Sequence, residues 1–172
     1  MAGTLSVQKI QGLASSATPT TVEIASGHKL TGDAGSITAA GMVVQTAINS
    51  ATSTVTASSG TPVLLTNVSI TPKFSNSVMH VEGYVSRMNI AYGSSNAYAS
   101  LYMQDGSDNT LAEGVLGSAI ANSSSMALHG THSPGSTSTQ TYQLKIATAS
   151  GGTSSVNTDG QRYTIKVMEI AQ

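Results

Sequence analysis

Chemistry needs groups that titrate, ligate or attack, and this sequence holds few of them. Its 172 residues include eight Asp and Glu, seven Lys and Arg, four His and no cysteine. His129 and His132 form His-Gly-Thr-His, a spacing that two metal-ligating imidazoles could use. In an extended strand, residues three apart point to opposite faces, and no carboxylate or third His lies nearby in sequence. The pair therefore reads as structural or solvent-facing. His28 reads as a turn residue, and His80 as a strand-surface residue. Asp105, Asp108 and Glu113, in DGSDNTLAE, look like part of a calcium loop but lack its full run of ligands. Asp-Gly turn chemistry explains them without a cation. Glu82, Glu113 and Glu169 are the candidates for an acid pair that would cleave a glycan. Nothing in their spacing brings them together. The many serines come without a Gly-x-Ser-x-Gly elbow. No catalytic residue, metal ligand or cofactor is expected, and the chain reads as a non-enzyme.

The richest aromatic stretch lies around NIAYGSSNAYAS, where Tyr84, Tyr92, Tyr98 and Tyr102 come close together. Tyrosine stacks on a sugar face and offers a hydroxyl, so Tyr92, Tyr98 and Tyr102 are the residues that could contact a glycan. The competing reading packs them at strand edges or between subunits.

Elements must hold these residues, and composition limits which. Only 9% of residues are charged and the net charge is -1, so no basic field exists to grip nucleic acid or an anionic membrane. Hydrophobic residues make up 39%, which separates the chain from the charged, water-loving composition of disordered segments. With no Trp and one Phe, the core is expected to consist of small side chains, a design that gains from oligomerisation. No apolar run is long enough to span a bilayer, and MAGTLSVQKIQGL lacks the pattern of a secretory signal. The expectation is a protein made in a host cytoplasm, without a signal peptide and without membrane insertion.

From Ala57 onward, with the first strand starting at Val63, apolar and polar residues alternate with the period of a β-strand, in short runs divided by polar turns. The runs are VLLTNVSI, VMHVEGYVSRMNI, AYASLYM, TLAEGVLG, SMALHGTH, TYQLKIATA and RYTIKVMEI. The second changes phase at Gly83, where a bulge is expected. No helical period competes, so the fold class is all-β: a sandwich, jelly roll or barrel. Earlier, Val22 and Ile24, then Leu30, then Ile37, then Val43 and Val44 follow at intervals of about six to eight residues with glycines between. Residues so sparse cannot build a core in one chain, but copies wound together could share them. The expected organisation is an attachment arm or short trimeric β-stalk over residues 1–50, a linker over 51–62, and a jelly-roll-like β-sandwich head over 63–172.

Four phrases carry a family resemblance: TTVEIASGHKLTGDAGSITAAGMVVQT, SITPKFSNSVMHVEGYV, HSPGSTSTQTYQL and YTIKVMEI. They resemble virion structural proteins of the tail-fibre-like, appendage type in tailed bacteriophages, particularly phages of marine hosts. The likeness runs from about Val22 to the end. It implies a β-structured homotrimeric appendage, with an N-terminal region that attaches to other virion proteins and a β-sandwich head that could meet a host-surface glycan. The chain departs from long tail fibres in having at most a short shaft. A head fibre fits that length equally, and so does the alternative of a capsid decoration or cement protein that stabilises the shell. All of these place it in the virion.

Overall fold

The alternation that begins at Val63 becomes seven strands in the computed structural model, and three fainter segments add three more. The structure describes residues 39–91, 98–117, 122–149, 152–156 and 159–172. In chain order the strands are β1 (Val43–Ala51), β2 (Val55–Ala57), β3 (Val63–Ile70), β4 (Val78–Ala91), β5 (Tyr98–Asp105), β6 (Thr110–Gly117), β7 (Asn122–His132), β8 (Gln140–Ala149), β9 (Thr153–Val156) and β10 (Tyr163–Ile170).

Their pairing is concentric. The hairpin β5–β6 lies innermost, and β4 pairs with β7, β3 with β8, β2 with β9 and β1 with β10, each antiparallel. A nest of that kind, rolled once, gives two sheets that share the strands alternately. One runs β1-β10-β4-β7, extended by β9 and β2 at the far end of β4, and the other runs β3-β8-β5-β6. This is the double Greek key of a jelly roll, so the expected β-sandwich head is the observed fold.

The core lies between the two sheets. Met79, Val81, Leu101, Met103, Leu144, Ile146, Ile165 and Val167 are fully buried there, and Tyr142 and Tyr163 are buried with them. The expectation of uniformly small core side chains fails: Met, Leu and Tyr fill the middle, and glycines make the space. A Cβ on Gly83 would stand 2.7 Å from Leu144 Cδ1, and one on Gly130 would stand 3.0 Å from the Leu111 carbonyl oxygen. At these two points a large side chain on one sheet fits because the facing residue on the other has none.

The bulge expected at Gly83 lies elsewhere. Gly83 pairs in regular register with Ile165 and Leu128, and the irregularity falls between Val85 and Met88. Inward positions are odd up to Val85 and even from Met88, so the slip restores apolar residues to the core face. Ser86 is held there by its backbone N–H, 3.3 Å from the Arg162 carbonyl, while its hydroxyl donates to the same oxygen.

The expected domain boundary also moves. β1 falls in the segment assigned to the arm except for its last residue, and β2 in the assigned linker, yet both belong to the sandwich. Ala47, Ala51 and Val55 pack against the core and Ala57 is buried in it. Alanine at these positions fills core space while leaving too faint an apolar signal to read as a strand. β1 also ties the sheets together: Asn49 Nδ2 donates to the Asn67 carbonyl at 2.8 Å and Gln45 Nε2 to the Thr71 carbonyl at 2.6 Å. The arm or stalk expected before residue 39 lies outside the described residues, and so does His28.

Candidate functional site

Alternation along β5 sends Ala99, Leu101 and Met103 into the core and leaves Tyr98, Ser100, Tyr102 and Gln104 on the outer face. Two of the three tyrosines picked from the sequence therefore share that face, four residues apart. Tyr98 is 42% exposed, and Tyr102 is half-buried between Lys145 of β8 and Glu113 of β6. Tyr92 lies outside the described residues.

Polar groups are buried on this same outer face. Ser100 and Gln104 are 2% and 7% exposed. Ser100 Oγ, Gln104 Oε1 and Gln143 Oε1 have no hydrogen-bond partner among the described residues. Gln104 and Gln143 stand directly opposite each other on β5 and β8. Gln104 Nε2 reaches Thr110 Oγ1 at 3.3 Å. Buried acceptors without a donor are uncommon, because each gives up its water for nothing. Sequence reasoning passed over both glutamines, since a polar residue at an outward position carries no sign that its neighbours will cover it.

Beyond that row the chain turns from β5 into β6. Asp105 Oδ1 accepts from the Ser107 N–H at 2.8 Å and the Asn109 N–H at 2.9 Å, and Oδ2 accepts from Asn109 Nδ2 at 2.8 Å. Burial alone would raise the Asp105 pKa, but these hydrogen bonds outweigh it and hold the carboxyl below its ordinary value. Asp108 sits at φ 65° and its carboxylate pairs with Lys145, which ties the turn to β8. Asp105 thus caps its own turn, and Asp108 fastens that turn to β8. Glu113 stands apart from them on β6, opposite Tyr102. A cleft of about 410 Å³ opens between this turn and the start of β8, lined by Asp105, Ser107, Thr139, Gln140, Thr141 and Gln143.

On β7 the His-Gly-Thr-His segment divides its two imidazoles as strand geometry requires. His132 faces inward and its Nδ1 lies 3.0 Å from the hydroxyl of buried Tyr142. Burial pushes the Tyr142 pKa well above the ordinary phenol range, and the negative charge of Asp105 adds to the rise. His129 is exposed on the other face, with its ring 5.5 Å from that of His80. Among the described residues, no three His, Asp or Glu side chains gather as a metal site would need.

The three glutamates considered for glycan cleavage lie on separate surfaces. Glu82 is on the outer face of the first sheet, 3.2 Å from Lys166 Nζ and opposite His129. Glu113 is on the outer face of the second sheet. Glu169 is fully buried, where its Oε1 accepts from the Lys73 N–H at 2.8 Å, the Phe74 N–H at 3.1 Å and Ser77 Oγ at 2.6 Å. Its Oε2 accepts from Gln45 Nε2 at 2.6 Å. Burial would raise its pKa, yet the donors from Ser77, Gln45, Phe74 and Lys73 win and lower it. Glu169 is therefore the anchor of the β3–β4 loop. The signal was present in YTIKVMEI, where a Glu occupies an inward position of an otherwise apolar alternation.

No family model matches the chain, and no curated protein matches it. Solved structures with a similar course of chain include the D431N mutant VP2 protein of infectious bursal disease virus in derived T=1 particles, at 14% identity and a TM-score of 0.36. The VP2 subviral particle of the same virus gives 11% and 0.35, and the structure of its Gx strain gives 10% and 0.34. These matches cover 75–76% of this chain but only 37–39% of those chains.

Proposed function

We propose that this chain is a non-enzymatic structural protein of a virion. In this reading it forms a short homotrimeric, fibre-like appendage, anchored to other virion proteins by its N-terminal region, with the jelly-roll head projecting toward the host surface. The resemblance of four phrases to appendage proteins of tailed bacteriophages supports the virion setting. The jelly-roll topology agrees with it, as a fold common in viral shells though also found in lectins and cupins.

The placement of exposed apolar residues carries the trimer. Among the described residues, five of the eight exposed large hydrophobics are Met42, Val43, Ile48, Val63 and Leu64. They lie on β1, just before it, or at the start of β3, along the side where Asn49 and Gln45 bridge the two sheets. Ile48 is 62% exposed in the middle of an edge strand. An apolar sheet edge left in water invites pairing with other chains, and a closed ring of identical copies covers it on every subunit. Three heads on one anchor, repeated over a particle, turn weak contacts with a cell surface into avidity.

Light scattering on the full chain tests this reading. The expected mass is that of three chains at micromolar concentration, falling on Ile48→Asp or Leu64→Asp while the melting transition persists. A wild-type monomer refutes the trimer. Electron microscopy of particles lacking this chain then reads the virion role, by density lost from tail or head.

A further inference from the structure

We infer that the cleft between the β5–β6 turn and the start of β8 is a binding site for a neutral saccharide. The inference deepens the attachment part of the reading above and rests on it for its biological setting, but the cleft itself lies within one chain.

The walls select the ligand class. Ser107, Thr139 and Thr141 contribute hydroxyls, Gln140 and Gln143 amides, and Asp105 a carboxylate. Thr139 and Thr141 already share one hydrogen bond each with Thr71 and Ser69, and Gln140 Nε2 donates to the Ser138 carbonyl, so each keeps only its remaining capacity for a ligand. That set is dense in donors and acceptors and has no apolar wall, so an apolar ligand gains little there. A cation would have to take Asp105 from the Ser107 and Asn109 donors that already hold both of its oxygens. An anion meets the Asp105 carboxylate, while Lys145, two residues along β8 from Gln143, is paired with Asp108. A neutral molecule with many hydroxyls suits what remains, since each of its hydroxyls both donates and accepts.

Two further observations fit that class. Gln143 lines the cleft, and its buried Oε1 lacks a donor that a ligand hydroxyl could supply. Gln104, directly opposite, lacks a donor in the same way. Tyr102 stands two residues along β5 from Gln104, roughly 7 Å at strand rise. A saccharide longer than one ring that is seated in the cleft reaches this phenol, whose face suits the C–H side of a pyranose.

Saturation-transfer NMR on the full chain decides it, with glucose, galactose, mannose, N-acetylglucosamine and their short oligomers as neutral probes, and sialyllactose and a heparin disaccharide as charged ones. At least one neutral sugar is expected to show transfer. Gln143→Met should weaken it about tenfold or more, the loss of one well-placed hydrogen bond and its geometry. This variant replaces an acceptor without a partner by an apolar chain of similar length, so the melting temperature should hold. Gln140→Ala, at the start of β8, gives a second and independent loss of binding. Tyr102→Ala should weaken oligomers more than single sugars. Transfer to none of the neutral sugars, transfer confined to the charged ones, or undiminished binding by Gln143→Met overturns the site. Light scattering on the same samples reads the trimer separately, so failure of one reading is not mistaken for failure of the other.

Discussion

Ser77 Oγ donates to Glu169 Oε1 at 2.6 Å, with neither side chain meaningfully exposed to water. The same oxygen receives the Lys73 and Phe74 backbone N–H groups, so one buried carboxylate organises the whole loop between β3 and β4. An amide in its place keeps the size but turns one end into a donor that faces other donors. Glu169→Gln should therefore cost about 2–3 kcal/mol, the scale of charged hydrogen bonds lost in a buried site. Thermal melting would register this as a fall of roughly 5–10 °C.

The same carboxylate sets a pH dependence with a definite sign. Its folded pKa lies below the ordinary glutamate value of 4.5, so the folded state favours the charged form. The stability this contributes is fully present above that value and is lost as the pH falls through the lower folded pKa. Melting of the wild type should therefore drop as the pH goes below about 4.5. Asp105, also lowered, adds a loss of the same sign at more acidic pH. Subtracting the Glu169→Gln profile from the wild-type profile should leave a step in this window, and parallel profiles would refute the assignment.

Gly83 and Leu144 test the core. The 2.7 Å approach of Leu144 Cδ1 to the site of a Gly83 methyl means that Gly83→Ala must push a buried leucine aside. Overpacking of this kind costs about 1–3 kcal/mol. Adding Leu144→Val, which shortens the intruding branch, should return part of the loss, and a double-mutant cycle by denaturant melting measures that coupling. Leu144→Asp, by contrast, buries an unpaired carboxylate in the same spot and should unfold the head outright.

What could be read in advance follows from these contacts. The seven strands with alternating large apolar residues were legible because period-two burial needs only one dry face. β1, β2 and β9 were not, because Ala47, Ala51, Ala57 and Ser154 fill interior space without being hydrophobic enough to announce it. Gly83 misled for a related reason: a glycine that makes room for a side chain on another sheet looks, in one dimension, like a glycine that bends its own strand. The tyrosines of β5 were legible as a face. The glutamines and the cleft beside them were not, since they depend on which turn closes against which strand.

The revised boundary changes what truncation should do. If the first fifty residues were all arm, removing them would leave an intact head. β1 occupies Val43–Ala51, however, and covers β10 along nearly its whole length, from Ile170 to Tyr163. It also supplies Gln45 to Glu169 and Asn49 to the Asn67 carbonyl. Deleting residues 1–38 should therefore leave a head that melts cooperatively and, by light scattering, associates more weakly than the full chain. Deleting residues 1–50 should do something different in kind: it strips the edge from the first sheet, exposes β10 and removes a donor from a buried charge. That product is expected to melt at least 10 °C lower or to aggregate, given the several kcal/mol in a lost edge strand and a buried carboxylate whose Oε2 has lost its Gln45 donor. Equal melting temperatures for the two truncations would mean that β1 is not part of the sandwich.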